Sequence, residues 1–433
     1  MRVFSPRRVS WLTGRVPAFG GKWLGSSLVM RIPTWRRWLT WGAQALVPML
    51  AAVYIAGSQI PGSRLASPWR PGMIDLEVYQ RTGWLVLSGG DFFGAEGLPW
   101  IYPPFAALLA VPWALPSYEM AALLWLALNV GALAAILYRL GFTGWWLSLG
   151  TTVCLLFVQP VTETVGFGNL GILLVAAAVL DSMPGPRVLK RRLLPEGVLT
   201  GLAAAVKLTP AMVAAYNFFA GRRKPGLVAF ATFVGATVLG FAVFWQASLH
   251  YWGGLLTGET GNNSGIVYGT NQSVMGMWTR LFGDAGRAGL AASALVVVLG
   301  LLAAVWLHKA GEVQVAICVA GVTSLLASPI SWSHHYVWVV PLGIVLWQRV
   351  TLPAWFRWYG LSWVAWVIVG PFMALPRGDG AEFGYQFFQQ VIDNLGIVAG
   401  VALLALSLVA ARTMRRAEPV LDVPAAAPEQ VNP

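Results

Sequence analysis

Charged side chains are scarce in this sequence. Only 11% of its 433 residues are Asp, Glu, Lys or Arg, whereas 57% are hydrophobic. Soluble domains contain about 25% charged residues, and a core of this chain length cannot bury so much apolar surface. These proportions exclude a soluble globular fold and indicate a chain that folds in a lipid bilayer.

Cysteine and several catalytic motifs are also lacking. Cys154 and Cys318 are the two cysteines, and both lie in apolar runs, which excludes a disulfide framework and a paired-cysteine metal site. The sequence has no phosphate-binding glycine loop, no His-Glu zinc motif and no serine nucleophile elbow. An enzyme that works outside the cell without a nucleotide site must draw on an activated substrate that is itself embedded in the membrane.

Basic residues outnumber acidic ones and give a formal net charge of +12. They occur in short clusters between apolar runs, as the signal that orients membrane helices does. A nucleic-acid-binding protein would instead carry its basic residues as a continuous patch. We therefore expect membrane lipids and no nucleic acid as partners.

The apolar runs predict an all-α polytopic membrane protein, because a span needs about 20 apolar residues, or fewer within a protein bundle. The runs are 39–58, 117–138, 145–158, 168–182, 197–220, 226–246, 288–307, 313–328, 335–348, 354–373 and 391–411. Composition further predicts a basic cytoplasmic segment at 1–37, a membrane domain at 38–411 and a disordered cytoplasmic tail at 412–433.

The run 197–220 lies between two strongly basic loops, so a single crossing would place one of these loops outside. Lys207 and Pro210 interrupt the run, and both disfavour a continuous membrane helix. We predict two short helical segments that enter and leave on the cytoplasmic side, or two tilted spans. The total is then ten to twelve crossings with both termini in the cytoplasm, and the polar loops, including 59–116, lie outside.

The first of these outer loops contains a candidate base. In a helix, Asp75 and Tyr79 share one face while Glu77 points away, and residues 76–87 suit a helix that lies along the membrane surface. A carboxylate there is able to act as a general base towards an incoming hydroxyl. The residues alone favour the simpler interpretation that Asp75 caps the helix N-terminus.

Two adjacent histidines form a second candidate. His334 and His335 follow Trp332 and precede Tyr336 at the outer end of a predicted span. Imidazoles move protons near neutral pH or donate to phosphate, although interfacial anchoring explains the same residues equally well. Adjacent side chains diverge by about 100° on a helix, so we do not expect a shared metal.

Two further signals concern substrate binding. Lys207 within an apolar run is costly and suggests an anionic partner such as a lipid phosphate, unless its side chain extends to the headgroups. Asn271 and Gln272, together with the polar stretch 262–264, suit sugar hydroxyls but also suit any solvated loop.

Taken in order, these motifs resemble glycosyltransferase family 87, a branch of the GT-C superfamily of polytopic glycosyltransferases. The segments that carry the resemblance are Asp75 with Tyr79, Tyr102-Pro103-Pro104, Lys207-Leu208-Thr209-Pro210, Asn271-Gln272-Ser273 and Ser328 to Tyr336. The sequence is most similar to actinobacterial α-1,2-mannosyltransferases that use polyprenyl-phosphate-mannose. The resemblance implies a GT-C type bundle of about ten to twelve transmembrane helices, with a long first extracytoplasmic loop that carries a juxtamembrane helix.

The resemblance also implies an activity. Mannose would move from polyprenyl-phosphate-mannose to a glycolipid acceptor, of phosphatidylinositol mannoside or lipomannan type, on the outer face of the plasma membrane. A β-linked donor and an α-linked product require inversion, for which one base is needed. Asp75 would be that base, with His334 or His335 as the second candidate.

The remaining residues would bind the donor. Lys207 and one histidine would support the leaving phosphate, and the other contacts to sugar or isoprenoid would come from Glu77, Tyr79, Tyr102, Asn271, Gln272, Trp332 and Tyr336. No cofactor is expected; the family's acidic-x-acidic pattern appears as Asp75-x-Glu77, which leaves metal use open. Alternatives are an arabinofuranosyltransferase with a polyprenyl-phosphate donor and a lipid or small-molecule transporter, although no internal repeat favours transport.

Overall fold

The computed structural model describes residues 34–58, 72–257 and 265–417. Within these ranges the regular structure is helical, apart from one isolated antiparallel bridge between Asn271 and Trp332. The predicted all-α class is therefore confirmed. The polar stretch 262–264 lies outside the described residues, as do most of the predicted terminal segments.

The described residues form seventeen α-helices. Those of the first half are α1 (Thr34–Ser58), α2 (Ile74–Ser88), α3 (Pro104–Ala114), α4 (Tyr118–Arg139), α5 (Gly144–Phe157), α6 (Gln159–Phe167), α7 (Gly171–Ser182), α8 (Val198–Val206) and α9 (Ala211–Phe219). Those of the second half are α10 (Arg223–Val243), α11 (Trp245–Thr257), α12 (Val274–Phe282), α13 (Gly286–Lys309), α14 (Val313–Ala327), α15 (Val339–Gln348), α16 (Ala354–Val369) and α17 (Phe387–Ala417). The chain separates into a unit that ends at Gly42 and a body that begins at Ala43.

Five of the described helices are long and apolar enough to cross a membrane, namely α1, α4, α10, α13 and α17. Helices α5 and α6 meet at 81° and add a sixth crossing if they form one broken span. The multi-pass membrane character predicted from the sequence agrees with these helices. Shorter apolar helices, α3, α7 and α14, accompany them.

The structure also contains helices where the sequence predicted loops. Helix α3 lies within the predicted outer loop 59–116. Helix α12 lies between the predicted spans 226–246 and 288–307, and so does α11 except for its first two residues. Helix α3 has only 11 residues, so it falls below the length of a span. It packs closely on α2, since a Cβ on Gly83 would lie 2.5 Å from the backbone oxygen of Ala110.

The predicted interruption of 197–220 is confirmed. Helix α8 ends at Val206, and α9 begins at Ala211 after an irregular segment that contains Lys207 and Pro210. Helix α8 has 9 residues, which at 1.5 Å per residue is about 14 Å, or half of the hydrocarbon thickness.

Both ends of this hairpin meet the C-terminal end of α7. The Gly197 N–H donates to Asp181 Oδ2 over 2.9 Å before α8, and Arg222 Nη1 donates to the backbone oxygen of Ser182 over 3.0 Å after α9. Helices α8 and α9 therefore leave and return to the same end of the bundle, and Lys207 stands at the tip of their hairpin.

Helix α14 lies at the centre of the core. Its residues from Val315 to Leu326 are all buried, as expected for a helix that is apolar on every side. Gly321 leaves space for the ring of Trp338, which a Cβ would approach to 2.2 Å. This contact holds the 3₁₀ helix Ser333–Trp338, which carries His334 and His335, against the core.

Candidate active site

A cavity of about 450 Å³ collects most of the side chains singled out in the sequence. Its wall includes residues from α2, from the segment before α3, from the end of α6 and from the 3₁₀ helix. Among them are the predicted site residues Asp75, Tyr79, Tyr102, Trp332, His334 and His335. Segments far apart in the sequence therefore converge on one site.

Asp75 faces this cavity from the first turn of α2. The N-cap of α2 is Met73, and no side chain makes the capping hydrogen bond, so the capping interpretation of Asp75 is wrong. Its Oδ2 instead accepts a hydrogen bond of 2.6 Å from Asn169 Nδ2. Burial raises the pKa of Asp75 to about 6, against the opposing effects of the Asn169 hydrogen bond and the charge of Lys207.

Lys207 contacts His335, one of the two histidines proposed as an alternative base. Its Nζ lies 2.9 Å from His335 Nε2, and the Trp332 N–H donates to the other ring nitrogen, Nδ1, over 3.1 Å. The same Nζ lies 5.7 Å from the centroid of the Tyr102 ring, within the range of a cation–π interaction. Lys207 is therefore directed from the hairpin tip towards the residues that line the cavity.

His334 is a poorer base than Asp75. It packs edge-on against Phe167 and His335 at centroid distances of 5.3 and 4.5 Å. Burial and then the charge of Lys207 lower the pKa of His334 to about 3. A base is most effective when its pKa lies near the working pH, so the electrostatics favour Asp75.

The two tyrosines form a second polar contact at the cavity wall. The hydroxyls of Tyr79 and Tyr102 lie 3.0 Å apart, and both rings pack against Trp100. Their hydroxyls are directed to each other, while their faces remain part of an aromatic surface of the kind that stacks on sugars and isoprenoids.

Lys207 does not line the cavity itself and reaches it only through His335. Four other predicted substrate contacts do not line the cavity either, and the first is Glu77. Its side chain is exposed on the opposite face of α2 and does not line the cavity. An acidic pair at positions 75 and 77 therefore does not converge on one ligand. Among residues 34–58, 72–257 and 265–417, no three His, Cys, Asp or Glu side chains form a group able to hold a metal ion.

The other three, Asn271, Gln272 and Tyr336, are buried, and their side chains form hydrogen bonds with backbone groups. Asn271 Nδ2 donates to the backbone oxygens of Ile266 and Pro329 at 2.9 and 3.1 Å, and its Oδ1 accepts from the Ser331 N–H at 2.9 Å.

Gln272 Nε2 donates to Gly269 and Asp393 oxygens. The Tyr336 hydroxyl donates to the Gln272 backbone oxygen over 2.5 Å. Together these bonds clamp the segment 328–336 to the segment 265–273, and thereby hold the histidines in place.

Three further polar residues lie on the cavity wall; the sequence places Glu163 and Asn169 among the polar side chains of the outer side but assigns them no role, and it gives no indication of Arg377. Asn169 holds Asp75, Glu163 accepts a hydrogen bond of 2.6 Å from Ser333 Oγ, and Arg377 lines the cavity with an exposed side chain. Asn169 follows Gly168, whose φ of 68° ends α6. An amide directly after such a helix-terminating glycine is the signal that would have identified it.

A second cavity of about 270 Å³ adjoins the first and shares Tyr79 with it. It is lined almost entirely by apolar side chains of α3, α4, α7 and α8, with aromatic contributions from Trp100, Trp113 and Trp125. Such a surface suits a hydrocarbon chain rather than a polar ligand.

Comparisons with known proteins agree with the family resemblance of the sequence motifs. The model of glycosyltransferase family 87 matches residues 100–329. Over 315 residues, the chain is 30% identical to a polyprenol-phosphate-mannose-dependent alpha-(1-2)-phosphatidylinositol mannoside mannosyltransferase of Mycobacterium tuberculosis (strain ATCC 25618 / H37Rv), covering 64% of this chain and 72% of the relative. Over 318 residues, it is 32% identical to a polyprenol-phosphate-mannose-dependent alpha-(1-2)-phosphatidylinositol pentamannoside mannosyltransferase of M. tuberculosis (strain CDC 1551 / Oshkosh), covering 69% and 71%. No solved structure matches the chain.

Proposed function

Because the chain belongs to glycosyltransferase family 87, we propose that it transfers mannose from polyprenyl-phosphate-mannose to a mannosylated phosphatidylinositol-type lipid in α-1,2 linkage. The names of the relatives supply the donor, the linkage and the acceptor class. The observation that carries the proposal is the convergence of Asp75 and His335 on one cavity, with Lys207 Nζ 2.9 Å from His335 Nε2.

Asp75 is the base in this mechanism. The acceptor hydroxyl oxygen attacks the anomeric carbon on the face opposite the phosphate, and its proton passes to the Asp75 carboxylate. The bond from the anomeric carbon to the phosphate oxygen breaks as the new glycosidic bond forms, so that a β-linked donor gives an α-linked product. Asn169 positions the carboxylate through its 2.6 Å hydrogen bond.

The leaving group is polyprenyl phosphate, whose developing negative charge needs a cation or hydrogen-bond donors. Lys207 supplies the cation, and His335, 2.9 Å from it, supplies a neighbouring ring nitrogen. His334, Trp332 and the tyrosine pair form the remaining wall against which the sugar packs.

The polyprenyl chain occupies the apolar cavity between α3, α4, α7 and α8. This cavity meets the polar one at Tyr79, so the phosphate is placed at their junction while the chain stays in a hydrocarbon-like environment. The donor therefore enters from within the bilayer, and the acceptor headgroup approaches from the aqueous side, where Glu163 and Arg377 line the wall.

Asn271, Gln272 and Tyr336 act as positioning residues. Their side chains bond to the backbone of the two segments that they clamp. Substitution of these residues perturbs the histidines through the backbone and not through lost contacts to a sugar.

The proposed topology places the cavity outside the plasma membrane and both termini in the cytoplasm, with ten to twelve crossings in a GT-C type bundle and α2 as a juxtamembrane helix. Hydrogen bonds connect the basic loops at one end: Arg222 bonds to Ser182, Gln314 to Pro184 and Arg349 to Gln314. By the positive-inside rule, this end is cytoplasmic, which supports an outward cavity.

Transfer by the purified protein tests the activity. The full chain is reconstituted in liposomes with radiolabelled polyprenyl-phosphate-mannose, or with the corresponding arabinofuranosyl donor, and phosphatidylinositol mannoside acceptors. We expect labelled lipid only from the mannosyl donor, with a linkage that an α-1,2-specific mannosidase removes. Transfer from the arabinosyl donor alone, or movement of intact donor across the bilayer without a product, would overturn the proposal.

A further inference from the structure

A third cavity lies at the other end of α7 and has no role in the transfer reaction. It has a volume of about 270 Å³, which is room for roughly nine waters at about 30 Å³ each. Four arginines and one aspartate supply its charges, namely Arg139, Arg187, Arg191, Arg192 and Asp181. Its net charge is therefore strongly positive.

Two of these arginines already bond to other residues of the protein. Arg139 donates to the backbone oxygens of Met183 and Leu180 at 2.9 and 2.8 Å, and so caps the C-terminal end of α7. Arg192 forms an ion pair of 3.1 Å with Asp181. The fold thus uses these two side chains to build the wall of the cavity.

The other two, Arg187 and Arg191, have no hydrogen bond or ion pair with any residue that the structure describes. Both side chains are exposed within a segment that has no helix. Guanidinium groups that line a concavity without protein partners match the geometry of a phosphate, which accepts paired N–H donors.

Apolar side chains from the same segment complete the wall. Val188, Leu189, Leu193 and Leu194 line the cavity although 55%, 54%, 77% and 45% of their surfaces are exposed. In water this exposure would be unfavourable, but at a membrane surface it places apolar side chains among acyl chains and arginines among headgroups. The occupant must therefore be both anionic and lipidic.

The site lies at the membrane surface opposite the catalytic cavity. Helix α4 spans 22 residues, or about 33 Å at 1.5 Å per residue. At its first residue, the Tyr118 hydroxyl accepts from the Met73 N–H beside Asp75, and at its last residue Arg139 lines the arginine cavity. The donor and acceptor of the transfer reaction therefore bind elsewhere.

We propose that this cavity binds the phosphate headgroup of an anionic glycerophospholipid of the surrounding leaflet. The bound lipid bridges Arg187 and Arg191 to the end of α7 and to the base of the α8–α9 hairpin, which begins with hydrogen bonds to Asp181. It thereby holds the two elements that carry Asn169 and Lys207 at their far ends.

The test measures lipid retained by the full chain. The protein is reconstituted in nanodiscs of phosphatidylcholine and phosphatidylglycerol, extracted in mild detergent, and analysed by native mass spectrometry. A basic residue near a membrane surface contributes about 1 kcal/mol, so the double variant Arg187→Gln with Arg191→Gln should bind phosphatidylglycerol about 30-fold more weakly. These side chains are exposed and unpaired, so the fold should persist, which a thermal melt verifies.

The matched control is Arg223→Gln with Lys224→Gln, which removes the same charge at exposed positions outside the cavity. We expect this variant to retain phosphatidylglycerol as the unmodified protein does. Equal retention by all three proteins would overturn the site, since it means that Arg187 and Arg191 do not hold the lipid. Equal loss from both variants would also overturn it, since it means diffuse attraction to basic residues in general. Displacement of the lipid by inorganic phosphate at equal concentration would also overturn it, because the ligand would then be a free anion.

Discussion

Replacement of Asp75 by asparagine separates basicity from shape. The amide keeps the size of the carboxylate, and its oxygen is able to accept the Asn169 hydrogen bond that Asp75 Oδ2 accepts at 2.6 Å. Donor binding should therefore survive, while proton removal from the acceptor hydroxyl is lost. A general base contributes about 10²- to 10⁴-fold, or about 3 to 5 kcal/mol of transition-state stabilisation.

The assay is initial-rate transfer from radiolabelled polyprenyl-phosphate-mannose over a range of donor concentrations. We expect kcat to fall by about 10²- to 10⁴-fold with little change in KM, which is the pattern of an interaction made in the transition state. Glu96→Gln, an exposed carboxylate between α2 and α3 outside the cavity, is the matched control and should retain the native rate. Native kcat in Asp75→Asn would refute the assignment of the base.

Three further substitutions test the surroundings of Asp75. The transfer rate should fall as pH drops through the Asp75 pKa of about 6, because the base must be ionised. Asn169→Ala removes a hydrogen bond to the carboxylate worth about 1.5–3 kcal/mol, so the acidic limb of the pH–rate profile should move upward by about one to two pH units. An unchanged acidic limb would contradict the contact between Asn169 and Asp75. Lys207→Met should weaken donor binding by about ten- to hundredfold through the lost phosphate contact, and equal donor affinity in an inhibition assay with polyprenyl phosphate would remove its role. Glu77→Gln should change kcat/KM less than about threefold because a surface substitution of this kind is worth under about 0.5 kcal/mol, whereas loss of activity that added Mn²⁺ restores would reinstate an acidic metal site.

Much of the fold was predictable because a bilayer imposes simple rules on sequence. Apolar runs near 20 residues must become helices, since lipid offers no partner to the backbone, and α4 and α13 match the predicted runs 117–138 and 288–307 closely. The interruption at Lys207 and Pro210 was likewise predictable, because both residues disfavour a continuous membrane helix.

The depth and direction of short elements were not predictable. Helix α3 has 11 residues, and its apolar composition alone does not distinguish a buried helix from a loop segment. The basic loops on both sides of 197–220 indicated that this segment returns to one end, but they left open whether it forms a re-entrant pair or two tilted spans. The contacts of Gly197 and Arg222 with the end of α7 tie the two ends of the hairpin together. Such tertiary hydrogen bonds leave no periodic trace in the sequence.

The candidate site was predictable only in part, because residue type shows which side chains need a partner but not which partner they find. Residue type identified Asp75, Lys207 and His335, because ionisable groups beside apolar runs are costly and need partners. Residue type did not show whether an amide faces a sugar or a backbone carbonyl. Asn271 therefore resembled a substrate contact in the sequence, although its side chain bonds to three backbone groups.

In the proposed mechanism, the donor phosphate contacts Lys207 while the anomeric carbon faces the side chain at position 75. A cryo-EM structure of the Asp75→Asn protein in nanodiscs with bound polyprenyl-phosphate-mannose measures this directly. We expect phosphate oxygens within hydrogen-bond distance of Lys207 Nζ, the prenyl chain between α3, α4, α7 and α8, and mannose beside the substituted side chain. Donor density with its phosphate away from Lys207 and its sugar outside the cavity would contradict this mechanism.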